Sequence, residues 1–242
     1  MEKFVDLHCH ILPGVDDGAG DLAAALELVR IAQADGTAAL VLTPHYRGRY
    51  RQNGPERLQE AFRALRQAAP ADMELYLGNE VAYEKDVTEK LTEGRVLCLA
   101  GGRYVLLEFD VATTGYQAMD AVMELIGGGF VPVIAHLERY PVFQKDKELT
   151  EAVLAAGALV QINADSVLGQ CGFGVKRFCH WLLKGRRAHF VASDAHDRDA
   201  RPPKLGECFR YISRKYGEEY AAVLFWENAR VVLAEGSSGA RG

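Results

Sequence analysis

The stretch Phe4-Val5-Asp6-Leu7-His8-Cys9-His10 decides how this chain is read. A short apolar run ends in two histidines at i and i+2. Along a β-strand alternate residues share a face, so both imidazoles point the same way. Two ring nitrogens on one side of a strand end make half of a metal site. The same spacing recurs near the other end of the chain in Asp194-Ala195-His196.

Strand, loop and helix alternate on either side of that stretch. The loop Ile11 to Gly20 holds the turn formers Pro13-Gly14 and Asp16-Asp17-Gly18. Asp21 is placed to cap a helix carrying Leu22, Leu26, Val29 and Ala32 at helical spacing, which Gly36 ends. A second strand, Ala38 to Thr43, closes on Pro44-His45. A polar run rich in Arg and Tyr, Tyr46 to Gly54, leads to Pro55 and a helix with Leu58, Phe62 and Leu65. Further strands are expected at Met73–Leu77, Tyr104–Leu107, Val131–Ala135, Leu159–Ile162 and Ala188–Ala192. Helices fill the intervals and the end of the chain. Tyr83 to Cys98 is less clear, and a short helix and a small strand fit it. Seven strand–helix units in sequence imply a mostly parallel sheet. In one chain of this size they suggest a closed (β/α)7 TIM-like barrel, residues 1–235, with a Gly- and Ser-rich tail, residues 236–242, read as mobile.

Composition narrows the functional classes. The chain has 242 residues, 49% hydrophobic and 25% charged, enough for one large domain with its own core. A net charge of -5 argues against a general nucleic-acid binder. Five cysteines, an odd number without Cys-x-x-Cys, read as reduced thiols of a cytoplasmic protein. No signal peptide is visible and no apolar run reaches membrane-spanning length, so no membrane insertion is expected.

In a βα barrel the working face lies at the C-terminal ends of the strands. Those ends carry His8, His10, His45, Glu80, Glu108, His136, Asp194 and His196. Imidazole and carboxylate together suit Mn²⁺, Fe or Zn²⁺, and bridging carboxylates allow a cluster. Asp17 is a further ligand candidate, although beside Asp16 it also fits a turn or cap role. His180, in a helical apolar pattern, and His189, inside a strand, read as structural.

These residues resemble the polymerase and histidinol phosphatase (PHP) superfamily over nearly the full length. Within it the chain is similar to the bacterial manganese-dependent tyrosine-protein phosphatases of capsule and exopolysaccharide operons. The pieces that carry the resemblance are Asp6-Leu7-His8-Cys9-His10 through Asp16-Asp17-Gly18, Thr43-Pro44-His45-Tyr46, Gly78-Asn79-Glu80-Val81, Leu107-Glu108-Phe109, Ala135-His136-Leu137-Glu138-Arg139-Tyr140 and Ser193-Asp194-Ala195-His196. The resemblance implies a three-ion cluster of Mn²⁺, with Fe or Zn²⁺ as substitutes. His8, His10, Glu80 and Asp194 would hold the first ion. Glu80, Glu108 and His136 would hold the second, and Asp17, His45 and His196 the third. Arg139 and Arg201 match the family's basic residues and would contact the phosphoryl group. The implied reaction is attack of a metal-activated hydroxide on phosphorus of a phosphotyrosine protein. The implied partner is the tail of a bacterial tyrosine kinase. The run Arg47, Arg49, Arg51, beside His45, borders the mouth and is suited to drawing in a phosphopeptide.

Three other readings compete. A thiol phosphatase needs Cys-x5-Arg in a phosphate-cradling loop. Cys171 with Arg177 and Cys208 with Arg214 fit that spacing, but the second lies in a helical pattern and the first lacks a following Ser or Thr. A PHP phosphoesterase acting on a small phosphomonoester such as histidinol phosphate keeps the metals and changes the substrate. A metal-binding module without turnover leaves Arg139 and Arg201 without a task.

Overall fold

The computed structural model describes residues 3–239. Nine strands are present among them: β1 (Phe4–Cys9), β2 (Thr37–Leu42), β3 (His45–Tyr46), β4 (Glu74–Leu77), β5 (Glu80–Ala82), β6 (Tyr104–Glu108), β7 (Val131–Ile134), β8 (Leu159–Asn163) and β9 (Phe190–Ala192). Every pairing is parallel. The hydrogen-bonded orders are β1-β2-β4 and β3-β5-β6-β7-β8-β9, giving an α/β fold on a curled parallel sheet.

Two expected strands are each broken in two. Pro44 has no N–H to donate, so β2 stops at Leu42 and the chain restarts as β3 against Glu80. Gly78-Asn79 interrupts the next strand in the same way. A Cβ on Gly78 would stand 3.0 Å from the Leu99 Cα, so the backbones approach as only glycine allows. The Asn79 side chain closes this break, donating to the Pro44 carbonyl and accepting the Leu97 N–H, both at 3.0 Å.

One side of the sheet is lined by alternate residues. Val5, Leu7, Ala39, Val41, Leu106, Val133, Ala135, Phe190 and Ala192 pack together there with Ala229, Val232 and Leu233 of the last helix. Burying a side chain such as Phe190 stabilises by roughly 1.5–3 kcal/mol. Following the same alternation toward the C-terminal ends leads to Glu80 after Tyr76, Glu108 after Leu106, Gln161 and Asn163 after Leu159, and Asp194 after Ala192. Ligand positions therefore share a face with the core beneath them.

Two positions reach that face by other means. In β1 Asp6 pairs with Leu40 but Cys9 with Leu42, so one extra residue is inserted between them. This bulge turns the alternation over and aims His8 and His10 to the side that Val5 and Leu7 occupy. In β7 the change comes at His136, whose φ of 32° is left-handed.

Helices cover the outer side, where Phe4 meets Phe209 and Phe225 at centroid distances of 5.2 and 5.8 Å. Their starts follow the sequence: Asp21 accepts the Ala24 N–H at 2.9 Å, and Thr114 forms a capping box with Gln117. The short helix expected within Tyr83 to Cys98 is Val87–Thr92. The last helix, Asn228–Gly239, runs into the stretch read as a tail; residues 240–242 lie outside the described residues.

Candidate metal centre

The first loop shapes the floor of the site. Ala19 N–H bonds the His10 carbonyl at 3.0 Å, and a Cβ on Gly18 would stand 1.8 Å from that carbonyl oxygen. The Asp-Asp-Gly turn therefore folds tightly onto β1. It buries Asp16 and leaves the Asp17 side chain 43% exposed, 3.4 Å from His45 Nε2 and 3.6 Å from His196 Nε2.

All nine expected ligands meet at this rim. Four groups offer ligand atoms within 4.8 Å of one another: His8, His10 and Asp194; His8, Glu80 and His136; His45, Glu80 and Glu108; and His10, Asp17, His45 and His196. The sharing differs in detail from the three expected sets, since His8 also stands with Glu80 and His136, and His45 also stands with Glu80 and Glu108. Glu80 is common to two groups, as a bridging carboxylate would be.

Hydrogen bonds aim the rings. His8 Nδ1 lies 3.0 Å from Gln161 Oε1, His10 Nδ1 lies 2.7 Å from Asp16 Oδ2, and His196 Nδ1 lies 2.9 Å from the Asp194 carbonyl. Each Nδ1–H is thereby committed and each Nε2 keeps a lone pair for the site. His8 Nε2 and His10 Nε2 then face each other at 3.3 Å. Asp194 divides its oxygens. Oδ2 takes Arg139 and Asn163, each at 2.9 Å, while Oδ1 faces His8 Nε2 and His10 Nε2 at 3.5 Å.

Cations fit these residues. His45 Nδ1, Glu80 Oε2, Glu108 Oε2 and His136 Nδ1 are buried without a hydrogen-bond partner, although His45 Nδ1 and Glu80 Oε2 are only 2.7 Å apart. Buried polar atoms normally have partners. Electrostatics agree. Burial pushes the Glu80 carboxyl up, but His8, His10, His136 and His45 pull it well below the usual range. Burial and the charge of Glu80 together hold Glu108 above it. Against the cost of burial, Asp16 and Glu80 raise His10, and Glu80 raises His136. So much buried carboxylate calls for positive charge.

Asp194 has a φ of 53°, so two non-glycine residues at the site, His136 and Asp194, hold left-handed backbone. Such strain persists where the surroundings over-determine it and clusters at functional sites.

The expected arginines lie on one side. Arg139 bridges Asp194 and Asp165, each at 2.9 Å, and Arg201 Nη1 lies 3.8 Å from Asp194 Oδ2. From the Arg47 to Arg51 run, Arg47 reaches Glu108 Oε1 at 2.8 Å and Arg51 pairs with Glu84. His180 bonds Tyr216 and Tyr211, and His189 accepts the Val160 N–H, so both stay out of the site. Cys208 is buried in the helix Gly206–Tyr216.

Residues 4–234 match the family model described as capsular polysaccharide synthesis, CpsB/CapC. The chain belongs to the CpsB/CapC family. Tyrosine-protein phosphatase CpsB of Streptococcus agalactiae serotype V is 32% identical to it over 237 residues, 95% of this chain and 98% of that one. Tyrosine-protein phosphatase YwqE of Bacillus subtilis is 33% identical over 232 residues, 95% of this chain and 91% of that one. A solved structure from work on YwqE of Bacillus subtilis and CpsB of Streptococcus pneumoniae, described as metal-dependent tyrosine phosphatases, superposes with a TM-score of 0.87. Its identity is 31%, with 96% of this chain and 94% of that chain covered.

Reading for CpsB/CapC ligands missed three supporting side chains. Asp16, Gln161 and Asn163 hydrogen-bond candidate ligands from outside the expected ligand set. For the two amides the available signal was their alternation inside the apolar strand Leu159-Val160-Gln161-Ile162-Asn163.

Proposed function

We propose that this CpsB/CapC chain is a metal-dependent protein-tyrosine phosphatase. The observation that carries the reading is the convergence of nine imidazole and carboxylate side chains beside the Arg139 guanidinium. Its matched relatives bear the name tyrosine-protein phosphatase, and no helix among the described residues is long and apolar enough to cross a membrane. In this reading the sheet is a distorted barrel of seven strand positions. Two bonds between its last and first strand ends support that, His10 N–H to the Ala195 carbonyl at 2.8 Å and Asp194 N–H to the His8 carbonyl at 2.9 Å.

His8, His10, Glu80 and Asp194 would hold one Mn²⁺, Glu80, Glu108 and His136 a second, and Asp17, His45 and His196 a third. When bound, the cations supply Lewis acidity and acidify water near neutral pH. The chain's own residues do the rest. Gln161, Asp16 and the Asp194 carbonyl keep the Nδ1 protons of His8, His10 and His196 in place. Arg139 stands with its fork beside Asp194 and turns it to phosphoryl oxygens, matching a tetrahedral oxyanion through two donors. Arg201 adds a second positive charge from the same side, and Arg47 a third beside Glu108.

The substrate in this proposal is phosphotyrosine in a protein, the tail of a bacterial tyrosine kinase, hydrolysed in the cytoplasm. Five free cysteines fit a reducing compartment. The test compares turnover of a phosphotyrosine peptide with that of histidinol phosphate by the Mn²⁺-loaded enzyme. Faster hydrolysis of the peptide supports the reading. An untouched peptide rejects it, and turnover of histidinol phosphate alone moves the enzyme to the small-phosphoester branch.

A further inference from the structure

Strand β8 supplies no histidine and no carboxylate to the rim, yet Gln161 and Asn163 stand fully buried among the ligands. We propose that Gln161 is a positioning residue that sets the protonation pattern of the metal centre through one chain of amides. The inference rests on the metal-centre reading above and adds a role that falls outside the ligand set.

A single backbone group fixes the polarity of the chain. His136 N–H lies 2.8 Å from one terminal atom of the Gln161 side chain. A backbone N–H only donates, so that atom is the amide oxygen. The same oxygen lies 3.0 Å from His8 Nδ1, which must therefore carry the proton. His8 Nε2 is left as a bare lone pair, aimed at Glu80 Oε1 at 3.4 Å and Asp194 Oδ1 at 3.5 Å. Only this tautomer lets Nε2 ligate a cation.

The other half of the amide continues the chain. Gln161 Nε2 donates to Asn163 Oδ1 at 2.7 Å, which turns Asn163 Nδ2 toward Asp194 Oδ2 at 2.9 Å. Asn163 is itself held by its backbone N–H on Glu138 Oε1 at 3.1 Å. Asp194 Oδ2 is thereby occupied by donors and Oδ1 is left toward His8 and His10. One glutamine thus bears on three ligands: the His8 tautomer, the left-handed backbone at His136 and the free oxygen of Asp194. Neither amide titrates, so the acceptor facing His8 Nδ1 and the donor facing Asp194 Oδ2 are fixed.

The experiment titrates Mn²⁺ into metal-stripped, full-length protein, followed by calorimetry and by the electron paramagnetic resonance signal of free Mn²⁺. Three chains are compared: the parent, Gln161→Met, which keeps the volume and loses every bond, and Gln161→Glu, which keeps both acceptor bonds. Gln161→Met is expected to bind roughly 10–100-fold more weakly, and its stripped form to melt lower as well, because the His136 N–H and the Asn163 oxygen lose a buried partner. Gln161→Glu is expected to bind within about tenfold of the parent, the acceptor oxygen being what the His8 tautomer needs. A structural role alone would lower the melting temperature of the stripped protein and leave affinity unmoved. Parent-like binding by Gln161→Met overturns the inference. If that variant does not fold, the nitrogen chemical shifts of the His8 ring in the parent decide: a proton on Nδ1 supports the inference, and a proton on Nε2 overturns it. A parent that binds no cation rejects the metal-centre reading itself, which keeps the two failures apart.

Discussion

The Asp16 carboxylate accepts the Nδ1–H of His10 at 2.7 Å, and the same oxygen takes the His45 backbone N–H at 3.0 Å. One acidic oxygen thus sets the tautomer of one ligand and places the backbone of another. Burial pushes the Asp16 carboxyl up, but the His10 ring and the N–H groups of Gly18 and His45 bring it below the usual range. Asp16→Asn is expected to weaken Mn²⁺ binding roughly 10–100-fold. The exposed neighbour variant Asp17→Asn should disturb only the ion proposed to sit with His45 and His196. Calorimetric titration of the two variants checks this, and equal effects would contradict the assignment of Asp16 as a support and Asp17 as a ligand.

Stripping the metal should cost stability as well as activity. A cation held only by the folded state stabilises it by about 2.7 kcal/mol at a hundredfold excess over its dissociation constant, a shift of roughly 5–10 °C for a chain of this size. Thermal melts with and without chelator measure it. Unchanged melting, together with unchanged turnover, would remove the cations from the mechanism.

Arg139→Ala is expected to lower kcat/KM on a phosphotyrosine peptide by roughly 10²–10³-fold. Arg139→Lys should recover only part of this, because a point charge replaces a two-pronged donor. Metal content must be measured in parallel, since Arg139 also holds Asp194. Full activity in either variant would exclude the guanidinium from phosphate binding.

Cys171→Ser should leave turnover within about twofold of the parent. Burial and the Asp165 carboxylate hold the Cys171 thiol above its ordinary range, against the pull of Ser166 and Arg139, which disfavours the thiolate a nucleophile needs. Loss of activity in this variant, with activity surviving chelation, would revive the thiol route.

His189 gives a pH-dependent stability of known sign. Burial holds its ring below the ordinary value of 6.5, and the neutral ring accepts the Val160 N–H at 3.1 Å. The unfolded chain takes up this proton first, so the ring's contribution is complete above pH 6.5 and is lost as pH falls toward the folded value. His189→Gln, which does not titrate, should lose less melting temperature than the parent between about pH 7.5 and about pH 5.5. Parallel losses would show that the ring titrates alike in both states.

Much of the site was legible because its chemistry is carried by side chains with few other reasons to end a strand. His8, His10, His45, Glu80, Glu108, His136, Asp194 and His196 needed only strand ends and residue type. The rest was hidden for physical reasons. The β1 bulge is a matter of register with β2, which no local pattern in Phe4 to His10 announces. The break at Pro44 was marked by the missing N–H, but the new partner of His45 was not. Gln161 and Asn163 carry no charge and bind no metal, so only their place in an apolar strand sets them apart. Asp16 and Asp17 are chemically alike, and the tight packing of Gly18 on His10 decides which one is buried.

The two breaks have a mechanical consequence. His8 lies in the three-stranded sheet and His10 just past its first strand, whereas Glu80 and Glu108 lie in the six-stranded one and His136 just past its strand β7. An ion gripped by both sets would act as a rivet across a seam in the framework. Loading should therefore slow amide exchange most at Thr43–His45 and Gly78–Glu80, where the chain crosses from one plate to the other.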